Sequence, residues 1–397
     1  MNKAIYAVAY MGKSILKTGK FHCKSLATKI KSNTGGMIKK TDMSYEKAVQ
    51  VLSALYPEKE INFEKPVRSK DMKYDVSVIV PVYNAELHLK DCIVSLLQQK
   101  TKYSYEVICV NDGSNDNSLK ILQDLSENKK IVVLNQKNGG ASKARNAGMR
   151  VARGRFFLFV DADDILPEKS IDILVNSAQK NNADIVQGNI AKCNKDGEIY
   201  HVNQYKADDL NGLLEYCNCN MSGTSWGRLY KRELWDGIDF FDGYAYEDAI
   251  VWCNVYPKCQ KMVYESEMVY IFRSQDNSLF KRQNNSAKCL DAVWIIEGCV
   301  DLYEHLKLEE SQEWYQMILW QLSVGIVTRI SYLSNDEVLQ AAFVVAKNIA
   351  EKRKYYQNCA FRGRNKDIYK KLEESFATGQ YRKWIKYSEL LSYANEI

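Results

Sequence analysis

Asp161-Ala162-Asp163-Asp164 follows the apolar run Phe157–Val160, and carboxylates packed this closely repel unless a cation lies between them. Hard oxygen donors suit Mg2+ or Mn2+, and Mg2+ commonly takes one or two carboxylates together with substrate phosphates. A plainer use is a helix cap, with Asp164 placed ahead of Pro167-Glu168; both uses are expected together. Asn111-Asp112-Gly113-Ser114 is turn-forming, with Asp, Asn and Ser suited to capping the next helix. A calcium loop starting at Asp112 fails, because its sixth position is Asn117 rather than Gly and its twelfth is Gln123 rather than Glu. A carboxylate here could instead accept the N3–H of a pyrimidine base. Glu247-Asp248, inside Tyr244–Ile250, can supply a general base for a hydroxyl proton, or be a surface or capping pair. Trp226–Tyr230 reads as an exposed aromatic turn that either packs in the core or shapes a place where a sugar stacks.

Several chemistries find no support. No G-x-G-x-x-G follows a strand, since Gly139, Gly140 and Gly148 have the wrong spacing, and no G-x-x-x-x-G-K-[ST] or G-x-S-x-G exists. The four histidines are scattered; only His88 falls near a strand-end cluster, and it reads as a helix-surface residue. Eleven cysteines include no C-x-x-C, only a lone C-x-C at Cys217 and Cys219. With Cys109, Cys253 and Cys299 in apolar surroundings, they read as reduced, packed thiols of a cytosolic protein.

The elements that must position these acids alternate in type. Val76–Val80, Val107–Val110, Ile131–Leu134, Phe156–Val160 and Ile185–Val186 read as strands, the first stopped by Pro81. Helical spacing appears at Leu89–Leu97, Leu119–Leu125, Ala144–Val151 and Ile171–Ala178. Alternation of this kind predicts an α/β fold with a twisted, mostly parallel sheet covered on both faces and right-handed crossovers. Ligands of such sheets sit beyond the carboxyl ends of strands, where Pro81–Asn84, Asn111–Ser114 and Asp161–Asp164 all fall.

The chain divides as 1–74, a basic helical extension and linker; 75–285, the catalytic α/β domain; and 286–397, a helical region. Met43–Leu55 reads as a helix and Pro57–Lys73 as a charged linker. Trp314–Ile330 is apolar but interrupted by Gln316, Gln321, Ser323 and Arg329, so it reads as a buried helix rather than a membrane span. Neither a span nor a signal peptide is expected at the N-terminus, where Ala4–Met11 is too short. Residues 1–41 hold nine lysines and no acid, and residues 347–397 a basic surplus of six; the ends thus carry +15 against a net +6, leaving −9 for the middle. A nucleic-acid binder would put the surplus on its recognition domain, so no nucleic acid is expected. An acidic body with basic ends suits a cytoplasmic enzyme held peripherally on an anionic membrane face. The stripe Ala4, Val8, Met11 and Ile15, with Arg362, Arg364, Lys366, Lys370, Lys371 and the Trp384 stretch, would make that contact. The ends could otherwise pack on each other or on a second subunit of a homo-oligomer.

In order, VSVIVPVYNAELHL, VICVNDGSNDNS, NGGASKARNAG and FLFVDADD resemble the family 2 glycosyltransferases of GT-A fold, and TSWGRLYKREL and YAYEDAIVW resemble that family's acceptor-side motifs. The matches run from Asp75 to Ser278. The resemblance implies a Rossmann-like GT-A domain and inverting sugar transfer from a nucleotide sugar, a UDP-sugar, to a hydroxyl of a glycan or lipid-linked acceptor. It implies that Pro81, Tyr83 and Glu86 border the nucleotide, that Asp112 hydrogen-bonds the base and that Arg145 reaches the nucleotide. It further implies that Asp161 and Asp163 serve the ribose and an Mg2+ or Mn2+ ion, that Asp248 in the Glu247-Asp248 pair is the base, that Trp226 lies on the acceptor side and that Arg273 lies near the donor phosphates. Rival readings are a DxD phosphatase, a sugar nucleotidyltransferase and a catalytically inactive sugar-binding or scaffold protein. The phosphatase is disfavoured because its DxD should end the first strand, and the nucleotidyltransferase because no basic glycine-rich loop follows that strand.

Overall fold

A computed structural model describes residues 39–127, 130–194, 197–203, 209–210, 223–274 and 286–396. Short β-branched runs alternate with amphipathic segments through the first half of the chain. They form β1 (Tyr74–Val82), α2 (Leu89–Leu97), β2 (Tyr105–Asp112), α3 (Ser118–Leu125), β3 (Ile131–Gln136), α4 (Ala141–Val151), β4 (Gly154–Phe159), α5 (Ser170–Asn181) and β5 (Ile185–Cys193), after α1 (Tyr45–Leu55). Then come β6 (Ile199–Asn203), β7 (Asp209–Leu210), β8 (Arg228–Lys231) and β9 (Met262–Arg273). The strands lie in the order β3-β2-β1-β4-β8-β5-β9-β7, with β6 on β5. The first four are parallel, and β9 is parallel to β5.

Two details depart from expectation. Pro81 does not stop the first strand, which continues to Val82; β4 has already ended at Phe159, opposite Ile79, so the missing proline N–H removes no ladder bond on that side. The Trp226–Tyr230 stretch is half strand, because Arg228–Lys231 enters antiparallel between β4 and β5 and interrupts the parallel sheet.

Alternation along β1 feeds two cores. Val76, Val78, Val80 and Val82 face the side covered by α2, α3 and α5, while Ile79 faces α4 and the helical C-terminal half. Helix α4 lies close on that second face. A side chain at Gly148 would meet the Ile79 Cγ2 at 2.6 Å, so glycine is what lets the helix approach. That approach brings Arg145, one turn earlier, to the sheet edge.

The C-terminal half consists of α6 (Asp291–His305), α7 (Gln312–Trp320), α8 (Ile326–Ile330), α9 (Asp336–Glu351), α10 (Lys366–Ala377) and α11 (Tyr381–Glu396). A π-helical turn, Gln321–Gly325, joins α7 to α8. The expected buried apolar helix is therefore a pair of helices with a widened turn between them. Among the described residues, no helix is long and apolar enough to cross a membrane. Helix α1 packs its Ala48 and Leu52 into the same core, and Tyr45 donates to Glu297 at 2.8 Å. Residues 57–73 form a strap without regular structure, pinned by Lys59 to Asp291 at 2.6 Å and by Arg68 to the Ile238 carbonyl at 2.7 Å.

Candidate active site

Three strand ends meet on one edge and are laced together. The β1 loop donates from the Asn84 amide to Ser114 Oγ (3.1 Å) and from the Ala85 amide to Ser118 Oγ (2.9 Å). Asn84 Oδ1 accepts from the Asn115 amide (2.8 Å). Glu86 accepts from both the amide and the side chain of Asn117, each at 2.9 Å. Asp112, at the end of β2, accepts from Gln136 Nε2 (2.7 Å), the Gly139 amide (2.9 Å) and the Gly140 amide (2.7 Å). It thereby fixes the Asn138–Gly140 loop that starts α4, where Gly140 takes a φ of 89° open to glycine at little cost. Tyr83 stands nearly half exposed beside this edge.

Beyond β4, the three acids separate in role. Asp164 is fully buried and accepts from the Tyr270 hydroxyl (2.6 Å) and the Arg273 amide (2.8 Å). It is not the cap of α5: Lys169 holds that position, with no side-chain cap. Two residues of β9 reach Asp164 first, a pairing more than a hundred residues distant. The same Tyr270 hydroxyl accepts from the Asp161 amide at 3.1 Å, and Arg273 Nε donates to the Asp163 carbonyl at 3.1 Å. Burial and then the nearby Asp161 charge push the Asp163 carboxyl up to about 6.

Arg145 joins this edge to the Glu247-Asp248 loop. It is 4% exposed and donates to Asp161 Oδ1 (2.9 Å) and Glu247 Oε1 (2.7 Å). Burial opposes its charge, but Asp161, Glu247 and Asp248 together hold its pKa above the usual arginine value. Both terminal nitrogens of Arg145 thus engage carboxylates of this edge. Asp248 accepts from the Ser225 amide at 3.0 Å. Burial, then Glu247, pushes its carboxyl up to about 7, with Arg145 and the Ser225 contact acting in opposition. The loop itself is bent, with φ of 78° at Gly243 and 62° at Tyr246.

Trp226 is half-buried rather than exposed, stacked on Tyr270 (4.8 Å between ring centres) and Phe272 (5.3 Å). Tyr270, on which it stacks, is the residue that donates to Asp164.

The sequence profile described as Glycosyl transferase family 2 matches residues 77–238. Glycosyltransferase GlyG of Streptococcus pneumoniae is 30% identical over 244 residues, which are 57% of this chain and 80% of that protein. The chain belongs to the family 2 glycosyltransferases. The uncharacterized glycosyltransferase EpsJ of Bacillus subtilis is 34% identical over 215 residues, 51% of this chain and 62% of that protein. The structure of S. aureus TarS 1–349 in complex with UDP-GlcNAc overlays with a TM-score of 0.61 at 18% identity, covering 81% of this chain and 92% of that one. That likeness carries the GT-A fold across the sheet and into the helical half.

Within this glycosyltransferase, the structure gathers Pro81, Tyr83, Glu86, Asp112, Arg145, Asp161, Asp163, Trp226, Glu247, Asp248 and Arg273 around one strand-end edge. Sequence reasoning missed Ser225, Tyr270, Lys59, Asp291 and Arg329. Tyr270 had no local signal, since it lies in the apolar run Val269–Phe272 and reads as core. Lys59 and Asp291 had none, because each is an ordinary charge until folding brings them together.

Proposed function

We propose that this glycosyltransferase moves a sugar from a UDP-sugar to a hydroxyl of a glycan or lipid-linked acceptor, with inversion and with Asp248 as general base. The supporting observation is Arg145, whose two ends join Asp161 of the donor edge to Glu247 beside Asp248. One buried cation thus holds the donor acids and the base loop in a single site. A base works best with a pKa near the working pH, which favours Asp248, raised to about 7, over the ion-paired Glu247. In the reaction, Asp248 takes the acceptor proton as the acceptor oxygen bonds to the anomeric carbon opposite the diphosphate. The bond from that carbon to the diphosphate breaks, UDP departs, and an α-linked donor gives a β-linked product.

The acid set fits a divalent metal. Asp164 is occupied by Tyr270 and Arg273 and one oxygen of Asp161 by Arg145, so Asp163 and the second oxygen of Asp161 would be the hard-oxygen ligands for Mg2+ or Mn2+. No three acidic, histidine or cysteine side chains gather as a ready metal cluster among the described residues, so the donor's diphosphate would complete the set. Such an ion would offset charge building on the leaving diphosphate.

The TarS neighbour holding UDP-GlcNAc supports a uridine donor, with Asp112 at the base-reading position. In a melting assay UDP should stabilise the protein more than GDP or CDP. Asp112→Asn should remove that preference; equal protection by all three nucleotides in the parent protein would refute it.

Attachment to an anionic membrane face is part of the same reading and depends on the lysines of residues 1–41, of which all but Lys39 and Lys40 lie outside the described residues. Trp384 and Tyr381 do not help, being buried in the helical core. Full-length protein should sediment with phosphatidylglycerol vesicles and be released by about 0.5 M salt, which screens exposed charges over a few ångströms. Protein left in the supernatant at low salt would refute the attachment.

A further inference from the structure

Arg329, in α8, lies beside the base loop and, like the buried Arg232, which donates to main-chain carbonyls, differs from the ion-paired guanidinium groups. Arg145 has Asp161 and Glu247, and Arg353 has Glu304 and Glu310. Arg329 has no carboxylate among the described residues. It donates to the Gly325 carbonyl in the π-helical turn and stacks on the Tyr246 ring at 4.4 Å. Its Nε is buried without a hydrogen-bond partner, while the residue as a whole keeps some exposure. Burial lowers its pKa, with the Tyr246 hydroxyl acting in opposition.

A buried charge without a counter-charge is costly and is normally paired. The surroundings look built for a ligand. Tyr246 adopts a left-handed backbone (φ 62°), which costs a non-glycine residue energy and tends to persist at functional sites. It lies two residues before Asp248. Tyr332, 56% exposed, is close enough to raise the Tyr246 pKa. The two widened helical turns, Val251–Val255 and Gln321–Gly325, flank the same place, and such turns recur at functional sites.

We propose that Arg329, stacked on Tyr246 beside the base loop, is an anion subsite for the acceptor, taking a phosphate or carboxylate carried near the hydroxyl that receives the sugar. This deepens the proposed function and rests on it, since Asp248 must mark the acceptor side. The planar guanidinium matches either anion with paired hydrogen bonds, and Tyr246 and Tyr332 offer ring faces to the adjoining sugar or polyol.

The test uses full-length protein saturated with UDP and Mg2+, so that the donor site is filled. A glycerol-phosphate oligomer, an oligogalacturonate and neutral maltotetraose are each titrated by calorimetry, and inorganic phosphate is added as competitor. At least one anionic oligomer should bind and be displaced by phosphate; the two oligomers separate a phosphate site from a carboxylate site. Arg329→Gln should weaken that binding at least tenfold, Arg329→Lys less, and UDP affinity should stay constant. Should Arg329→Gln fail to fold, Thr328→Glu, which adds a negative charge at the exposed neighbouring position, should weaken the anionic oligomers and leave maltotetraose unaffected. The subsite is overturned if the parent protein binds neither anionic oligomer, or if these substitutions leave anion binding unchanged. UDP titrated alone reports on the donor reading separately: its failure to bind, with anion binding intact, would defeat that reading and leave the subsite standing.

Discussion

The donor edge and the base loop are held in opposite ways. Asn84, Asp112, Ser114, Asp116, Asp161 and Asp163 all fall within about eighty residues, and the first four are tied to near neighbours by short polar contacts. The loop Tyr244–Asp248 is held from five separate places: Lys59 and Asp291 grip its start, Arg329 its middle, and Arg145 and Ser225 its two acids. The left-handed φ at Tyr246 adds local strain that these contacts must outweigh. On the proposed reading, the nucleotide-facing part of the sheet edge is held by its own neighbourhood, whereas placement of the base draws on the whole fold. Substitutions far from the chemistry should therefore alter turnover and leave nucleotide affinity alone.

The sharpest way to separate the two regions is Asp248→Asn. The amide oxygen can still accept from Ser225, so the loop should keep its shape, but the proton acceptor is gone. Turnover should fall about 10²-fold or more, the scale of a lost general base, while UDP affinity by calorimetry is unchanged. Glu247→Gln should cost less. If Glu247→Gln is dead and Asp248→Asn turns over normally, the roles are reversed. The pH profile carries the same signature. A base must be deprotonated, so kcat should climb with pH and level off above about 7, where Asp248 has lost its proton, and the Asn variant should lose that limb.

On the donor edge, Asp163→Asn should reverse the usual sign of a damaging mutation. The native carboxyl is raised to about 6 from an ordinary 3.8, so its protonated form is the one the fold favours. The stability tied to this group is present below about pH 4 and lost as pH rises through about 6. Removing the charge should raise stability in chelator at pH 7.5 by roughly 1–2 kcal/mol, after discounting for relaxation and solvent, and raise the melting temperature by about 1–2 °C. Metal-dependent transfer and any metal-induced melting shift should disappear. Full transfer activity in chelator by the parent protein would remove the metal from the donor edge altogether.

The same contrast sets what was legible in the sequence. The five leading strands, their helices and the acids at strand ends were readable because period and punctuation are local signals. Asp112 and Asp161 were placed at the edge by position alone. Asp164 was misread as a cap, because its partners Tyr270 and Arg273 arrive from β9, more than a hundred residues away. Trp226 looked exposed for the same reason: the rings it stacks on belong to that distant strand. That Arg145 also joins Asp161 to Glu247 could not be read from the sequence, because Glu247 lies about a hundred residues further along the chain. The strap carrying Lys59 read as a linker, since charge and proline look the same whether a segment is loose or pinned.

The smallest effect, and the most direct probe of remote control, is Lys59→Met. Lys59 Nζ meets Asp291 Oδ1 at 2.6 Å, and Asp291 Oδ2 accepts from the Ala245 amide at 2.8 Å. The Lys59 main chain exchanges hydrogen bonds with the Tyr244 hydroxyl, at 3.1 Å and 2.6 Å, and its ammonium lies over the Tyr244 ring at 4.3 Å. Methionine keeps the stem and the main-chain bonds but strands a fully buried carboxylate. Breaking one side of a buried pair can cost about 3–5 kcal/mol; Lys59 is 29% exposed on its side chain, so water can partly take its place and roughly 1–2 kcal/mol is expected. Asp291 would then relax its hold on Ala245 and let the base loop drift, and small misplacements of a reacting group are expensive in rate. Turnover should drop about 3–10-fold with the donor KM unchanged, and Lys59→Arg should restore most of it. Asp291→Asn removes the stranded charge, so adding Lys59→Met to it should cost less than Lys59→Met alone, the mark of coupled residues. Equal losses in kcat and donor affinity, or strict additivity with Asp291→Asn, would show that Lys59 merely supports the fold.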